Sequence, residues 1–332
     1  MKTKLFTLCL VALLISSVSF AKIRRVGYFG TAIVGTDYSS LQAAHDSAST
    51  KDTIMLYPGT YTATYTKNLV TLGYGYFVSG AASNANLQAI TGGMTVSITL
   101  NAGSDSSRFE GIDGLTMFET YQVNIKNIIL KRCNIAYVYS GGGKYANWQV
   151  IQSYVNSFYL YYAGSVYSNL LVSNCYVGSF YIDNVNGQSG IINNNVFYST
   201  CYFGTGNFLI KNNIFVSASF ANALACTFQN NVSDGNNLPA GNGNVNSVTT
   251  ASLFVGYPTL GSYSNDGRLA LKAGSPAIGA GEGGIDCGMF GGSTPYRLSG
   301  IPSTPSFYKL TAPSNTTSTN PYTITFSVRA NN

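Results

Sequence analysis

Glu110, Asp113 and Glu119 form the densest group of carboxylates in a chain with only 12 acids among 332 residues. Carboxylates clustered in this way can hold a calcium ion, which wants several oxygen ligands. They can also do general acid–base work. Lys131 and Arg132 follow about twenty residues later. If Asp113 and Lys131 hold equivalent positions in neighbouring repeats, they stand side by side. They are then either a catalytic carboxylate with its base or a surface ion pair of little energetic worth. His45 is the only histidine. It falls on a short helical stretch near the N-terminus, which argues against histidine chemistry. "SGGGK", Ser140 to Lys144, lacks the spacing of a phosphate loop and reads as a turn. Five cysteines lie beyond residue 21: Cys133, Cys175, Cys201, Cys226 and Cys287. Their number is odd and their spacing is not that of metal ligands, so no metal site is expected.

A repeat sets where these residues stand. In "LIKNNIF", Leu209 to Phe215, two asparagines interrupt an apolar run. The pattern apolar–x–turn–turn–x–apolar recurs with anchors at Leu130, Val150, Val172, Ile192, Ile210 and Phe228. An earlier copy is assigned to Ile112. Eighteen to twenty-two residues per repeat, with strand-like alternation about each anchor, is a solenoid period. Five residues after the anchors come Met117, Ile135, Val155, Val177, Phe197, Phe215 and Ser233. Three residues after them come Leu115, Cys133, Ser153, Cys175, Asn195, Asn213 and Asn231. Asparagine at a corner can adopt the left-handed conformation. Stacked amides can also hydrogen-bond from rung to rung. Cys133 and Cys175 share a column two rungs apart, roughly 9–10 Å at strand spacing, too far for a disulfide. Trp148 falls on the inner side.

The same register places a row of tyrosines outside. Phe158, Leu160, Phe180 and Ile182 alternate inward, so Tyr159 and Tyr181 face out. Tyr139 holds the equivalent position one repeat earlier, with Tyr137 and Tyr161 flanking. Such a strip, apolar with hydroxyls at its edge, suits the rings of a glycan or another protein. It also suits plain stabilisation of the sheet by neighbouring-strand pairs. Nine residues after Ile192 the count reaches Cys201, with Tyr202 beside it, so the row is expected to end at Tyr181.

Hydrophobic residues make up 45% of the chain and charged residues only 9%. Gly (36) and Tyr (25) are abundant, as suits short strands joined by tight turns rather than long charged helices. The formal charge is +6, without a basic block, and no nucleic-acid partner is expected. Residues 1–21 read as a signal peptide: Lys2 and Lys4, an apolar run from Leu5 to Phe20, then Ser19-Phe20-Ala21. Export to the extracellular space or the cell surface follows. The mature chain holds no span apolar enough for a membrane.

Near the start, "GTDYSSLQAAHDSASTKDTIMLYPGTY" contains a helix over about residues 39–49. Its Leu41, Ala44, His45 and Ala48 share one face. A strand ending at Pro58-Gly59 follows. Farther on stand "LKAGSPAIGAG" and "DCGMFGG", Leu271 to Gly281 and Asp286 to Gly292. Together these segments resemble the opening and closing of secreted bacterial proteins with the pectate-lyase-like right-handed parallel β-helix. The resemblance implies an all-β, right-handed parallel β-helix over residues 22–300, closed at its start by the short helix. Residues 301–332 differ: four prolines and the alternating "YTITFSV" predict a C-terminal β-hairpin tail. The superfold hosts lyases, hydrolases, adhesins and proteins without chemistry. Its polyuronate lyases need clustered carboxylates for Ca²⁺, and its hydrolases need two or three aspartates. Asp-x-Asp, Asp-Asp and Arg-x-x-Arg runs are missing. The expectation is a protein without cofactor that binds a polysaccharide or cell-surface glycan. A polysaccharide lyase or hydrolase, with Ca²⁺ as a lyase's cofactor, and a self-assembling surface protein stand as alternatives.

Overall fold

The computed structural model describes residues 21–28, 30–78, 92–182, 187–221, 225–312 and 323–330. Nearly all of residues 1–21, the segment expected to be a signal peptide, lies outside them. The described chain is an all-β parallel solenoid. Two sheets of eleven strands run its length, and a third of three short strands closes the cross-section over its middle. In sheet 1 the anchors stack in register: Leu130 pairs with Val150, Val150 with Val172, Val172 with Ile192, Ile192 with Ile210, and Ile210 with Phe228. In sheet 2 the inward column runs Leu115, Ile135, Val155, Val177, Phe197, Phe215 and Ser233. Trp148 is buried, and its ring nitrogen donates to Ile125 O at 3.1 Å.

The earliest repeat is corrected by three residues. Leu130 pairs with Phe109, not with Ile112. Ile112 instead stands at the corner, where its carbonyl accepts from the Asn134 N–H at 2.8 Å. Leu115 and Met117 therefore both belong to sheet 2, beside Ile135 and Val138, with a bulge in between. That bulge adds one residue to the later coil, and the true register was concealed by Ile112, which fits the anchor pattern three residues after Phe109.

The two asparagines of each Asn-Asn do different work. The first holds the left-handed corner: Arg132, Gln152, Asn174, Asn194, Asn212 and Asn230 have φ between 51° and 56°. The second points inward and builds a ladder. Asn195 Nδ2 donates to Asn213 Oδ1 at 3.0 Å, Asn213 to Asn231 at 3.0 Å, and Asn231 to Asn244 at 3.1 Å. Where the column holds Cys133, Ser153 and Cys175 no amide ladder forms, and both thiols are free and buried. A separate, solvent-facing amide row (Asn127, Asn147, Asn169) marks the corner between sheets 3 and 1.

The first-position side chains reach outward to a long irregular strap. Asn212 Oδ1 accepts from Glu282 N, Asn194 donates to Asp286 O, and Asn174 donates to Met289 O and Gly291 O. Gln152 donates to Pro295 O and Arg132 to Ile301 O. Residues 282–301 thus run back along the solenoid, one grip per rung. Cys287, Met289 and Tyr296 of this strap join Leu253, Phe254 and Leu269 from the segment before it in a second apolar core against Tyr154, Val196, Ile214 and Val232 on the outside of sheet 2. These side chains satisfy strap backbone groups that have no strand partner, which lets an irregular segment lie buried.

At the N-terminal end the helix Leu41–Ser47 covers the first rungs. Ser40 Oγ caps it by accepting from Ala43 N at 3.2 Å. Leu41, Ala44, His45 and Ala48 are buried as their spacing predicted. His45 Nε2 accepts from Thr66 N at 3.0 Å, which ties the helix to the solenoid. The tail forms an antiparallel hairpin of Ser306–Thr311 and Thr325–Arg329.

Candidate functional site

Sheet 2 carries the aromatic row on its outer face. Phe118, Tyr139, Tyr159, Tyr181 and Tyr202 are paired rung to rung. Their rings are near-parallel, with centroids 5.2, 6.0, 5.3 and 6.4 Å apart down the row. Tyr137 stacks on both Tyr139 and Tyr159, at 5.3 and 6.2 Å. Tyr161 meets Tyr202 edge-on, and Tyr121 meets Tyr162 likewise. The strip is underlain by Val138, Phe158, Phe180 and Cys201, all buried, so alternation along each strand fixes the tyrosines outward. These separations are in the offset-stacked range. The rings overlap like roof tiles, each covering part of its neighbour's face. The surface is slatted rather than flat.

The row does not end at Tyr181. Cys201 pairs with Phe180 and Tyr202 with Tyr181. A one-residue insertion before Cys201 shifts the count without breaking the column. Phe118 was hidden by the misplaced earlier coil, although Leu115, Met117 and Glu119 alternate inward and put Phe118 outside. Beside the ladder, Thr116, Tyr137, Ser157 and Ser179 form a second column of hydroxyl-bearing side chains.

The acidic candidates are dispersed. Asp113 and Lys131 are not neighbours, because the three-residue correction pairs Lys131 with Glu110. Asp113 accepts from Asn134 Nδ2 at 2.7 Å. It lines a shallow cleft of about 480 Å³ with Phe77, Leu260 and Tyr263, and no described lysine or arginine lines it. Burial raises the Asp113 carboxyl above its usual value. Glu110 is buried among Arg108, Lys131, Arg132 and Ser303. Burial pushes its carboxyl up, but the Ser303 hydrogen bonds and the charges of Arg108 and Lys131 outweigh this and hold it below the ordinary range. Glu119 lies inside the solenoid in the column of Leu100. There Tyr167 donates to its Oε1 at 2.5 Å and Gly141 N to its Oε2 at 3.2 Å. Burial pushes the Glu119 carboxyl up to about 8. The three acids thus occupy three separate environments, and none gathers with two other potential metal ligands among the described residues. No described helix is long and apolar enough to cross a membrane.

Against family models, curated proteins and solved structures, the chain finds no match.

Proposed function

We propose that the protein is an exported, non-catalytic β-solenoid that binds a polysaccharide across the aromatic strip of sheet 2. The observation that carries this reading is the unbroken ladder from Phe118 to Tyr202, flanked by the half-exposed Tyr121, Tyr161 and Tyr162. Core burial does not need these rings. The inward columns already fill the interior, and the neighbouring outer column holds Ser157 and Ser179. Stacked rings with phenol edges offer apolar contact to sugar C–H faces and hydrogen bonds to sugar hydroxyls. The apolar segment Leu5 to Phe20 supports export.

The test is a glycan array probed with residues 22–332 and with the double variant Tyr159→Ala/Tyr181→Ala. Binding to the best ligand should fall by about tenfold or more, as for aromatic anchors at interfaces. The circular dichroism spectrum should not change, since both rings lie outside the core. Equal affinity in the variant would remove the strip as the site. Accumulation of reducing ends or unsaturated uronides by the wild-type chain would favour the lyase or hydrolase reading instead.

Self-assembly is a second reading, favoured by the tail. Phe307 lies opposite Val328 and Leu310 opposite Phe326 across the hairpin, and all four are exposed. An isolated two-stranded sheet is marginal in water, and an uncovered apolar face invites association. Sedimentation velocity of residues 22–332 should then show concentration-dependent oligomers that residues 22–303 do not form. A monomer at every concentration would discard this reading.

A further inference from the structure

Along the aromatic ladder the outer face of sheet 2 carries no charged side chain. The strands Gly59–Tyr65, Met94–Leu100, Leu115–Glu119, Asn134–Tyr139, Tyr154–Leu160, Tyr176–Ile182 and Cys201–Tyr202 hold a single Asp, Glu, Lys, Arg or His, which is Glu119, and it points into the core. Sheet 1 is the opposite: Arg108, Glu110, Lys131 and Lys211 take its outer positions, beside the inward Phe109, Leu130 and Ile210. The uncharged columns of sheet 2 also run past the ladder toward the capped end. Thr62 and Ser97 lie in register with Thr116 and Tyr137, and Thr64 and Thr99 with Phe118 and Tyr139. Thr62 and Thr64 are exposed, and Ser97 and Thr99 are half-exposed.

Charged side chains at the borders of this face are held by the protein itself. Lys67 Nζ donates to His45 O, Asp46 O and Ala48 O at the end of the capping helix. Asp113 accepts from Asn134 Nδ2. On the side where the returning chain packs, Arg268 lies over the Tyr257 ring at 5.4 Å, and Asp234 accepts from Ser217 N and Thr250 Oγ1, both at 2.8 Å. A charged polymer laid across the rings gives up water without gaining a counter-charge, which is costly for either sign. Serine, threonine and tyrosine hydroxyls both donate and accept, as do the hydroxyls of a neutral sugar.

We propose that the polymer bound by the strip is an uncharged polysaccharide, and that polyuronates, sulfated glycans and cationic amino-polymers are poor ligands. This inference rests on the proposed function and narrows its substrate class. Selectivity comes from what the face lacks: it has no cation for a carboxylate or sulfate and no carboxylate for an amine. Binding then depends on ring contact and hydrogen bonds without net charge on either partner, and salt has nothing to screen.

The experiment measures binding of residues 22–332 to backbone-matched polymers that differ in charge: hydroxyethyl- against carboxymethyl-cellulose, methyl-esterified against de-esterified polygalacturonate, and N-acetylated against deacetylated chitin oligomers. In the pair that binds best, the uncharged member is expected to bind tighter by about tenfold or more, with the same affinity at low and at high salt. Ser157→Lys/Ser179→Lys places cations beside the ladder on adjacent rungs. It should shift preference toward the carboxylated polymers and make their affinity fall with salt. Thermal melts check that each variant folds. If a charged member binds as tightly as its partner, and Tyr159→Ala/Tyr181→Ala abolishes that binding, the strip stands and the uncharged substrate class falls. If the tyrosine variant binds every polymer as the wild type does, the strip falls and this inference falls with it. An unchanged preference in the folded lysine variant, or no binding of the wild type to any of these polymers, also overturns the proposal.

Discussion

Asn213→Ala is expected to lower stability by about 3–5 kcal/mol, more than removing any single surface contact. The Asn213 amide has every hydrogen-bonding position filled. Its Oδ1 accepts from Asn195 N at 2.8 Å and Asn195 Nδ2 at 3.0 Å. Its Nδ2 donates to Ile192 O at 2.9 Å and Asn231 Oδ1 at 3.0 Å. Alanine strands the buried Asn195 N–H and the Ile192 carbonyl, each at about 1–3 kcal/mol, and leaves a void between two amides. Asn213→Ser should cost less. Ser153 already occupies the equivalent position, where its Oγ accepts from Cys133 N at 3.1 Å and donates to Ile151 O at 2.9 Å. A serine at 213 can keep the contact to Asn195 N. Urea unfolding of the two variants should therefore rank them alanine below serine below wild type. Solenoids lose cooperativity along their length, so hydrogen exchange at the Asn195 amide is the sharper readout. If alanine and serine prove equally mild, the ladder is ornamental and the columns are held by apolar stacking alone.

The period, the inward columns from Leu130 onward, the capping helix and the hairpin could be read from residue types because each has a local rule. Apolar alternation, left-handed asparagine and helical spacing act within a few residues. What escaped depends on a rival anchor, an insertion or distant chain. Ile112 fits the anchor pattern as well as the true partner Phe109 does, which joined Asp113 to Lys131 wrongly. The insertion before Cys201 shifts a fixed count by one and hid Tyr202. The strap was invisible for a different reason. Its backbone groups are held by side chains some 70 to 169 residues earlier in the chain, such as Asn212 and Arg132, and irregular backbone has no period to count. Arg132 and Gln152 carry a signal in retrospect: long polar side chains at left-handed corners where asparagine is easier need an outside partner.

Glu119 escaped because a carboxylate inside a solenoid has no pattern, and it yields the second large effect. Its neighbour on the preceding rung of the same inward column is Leu100. Tyr145 and Tyr167 lie beside it with ring centroids 4.6 Å apart, and Tyr167 is hydrogen-bonded to it. With a folded value of about 8 against about 4.5 for the free side chain, the folded state retains a proton that the unfolded state releases. In that window the native chain binds more protons, so stability falls as pH rises. The contribution is complete below about pH 4.5, declines through the interval, and is lost by about pH 8. The full swing is on the order of 5 kcal/mol. Glu119→Gln keeps the shape and the acceptor for Tyr167 but cannot ionise. Subtracting its unfolding free energy from that of the wild type cancels every other titration. The difference should be small at pH 4.5 and should reach several kcal/mol in favour of glutamine at pH 9. A flat difference across this range would mean that Glu119 stays ionised at neutral pH and that water or a cation reaches it inside the coil.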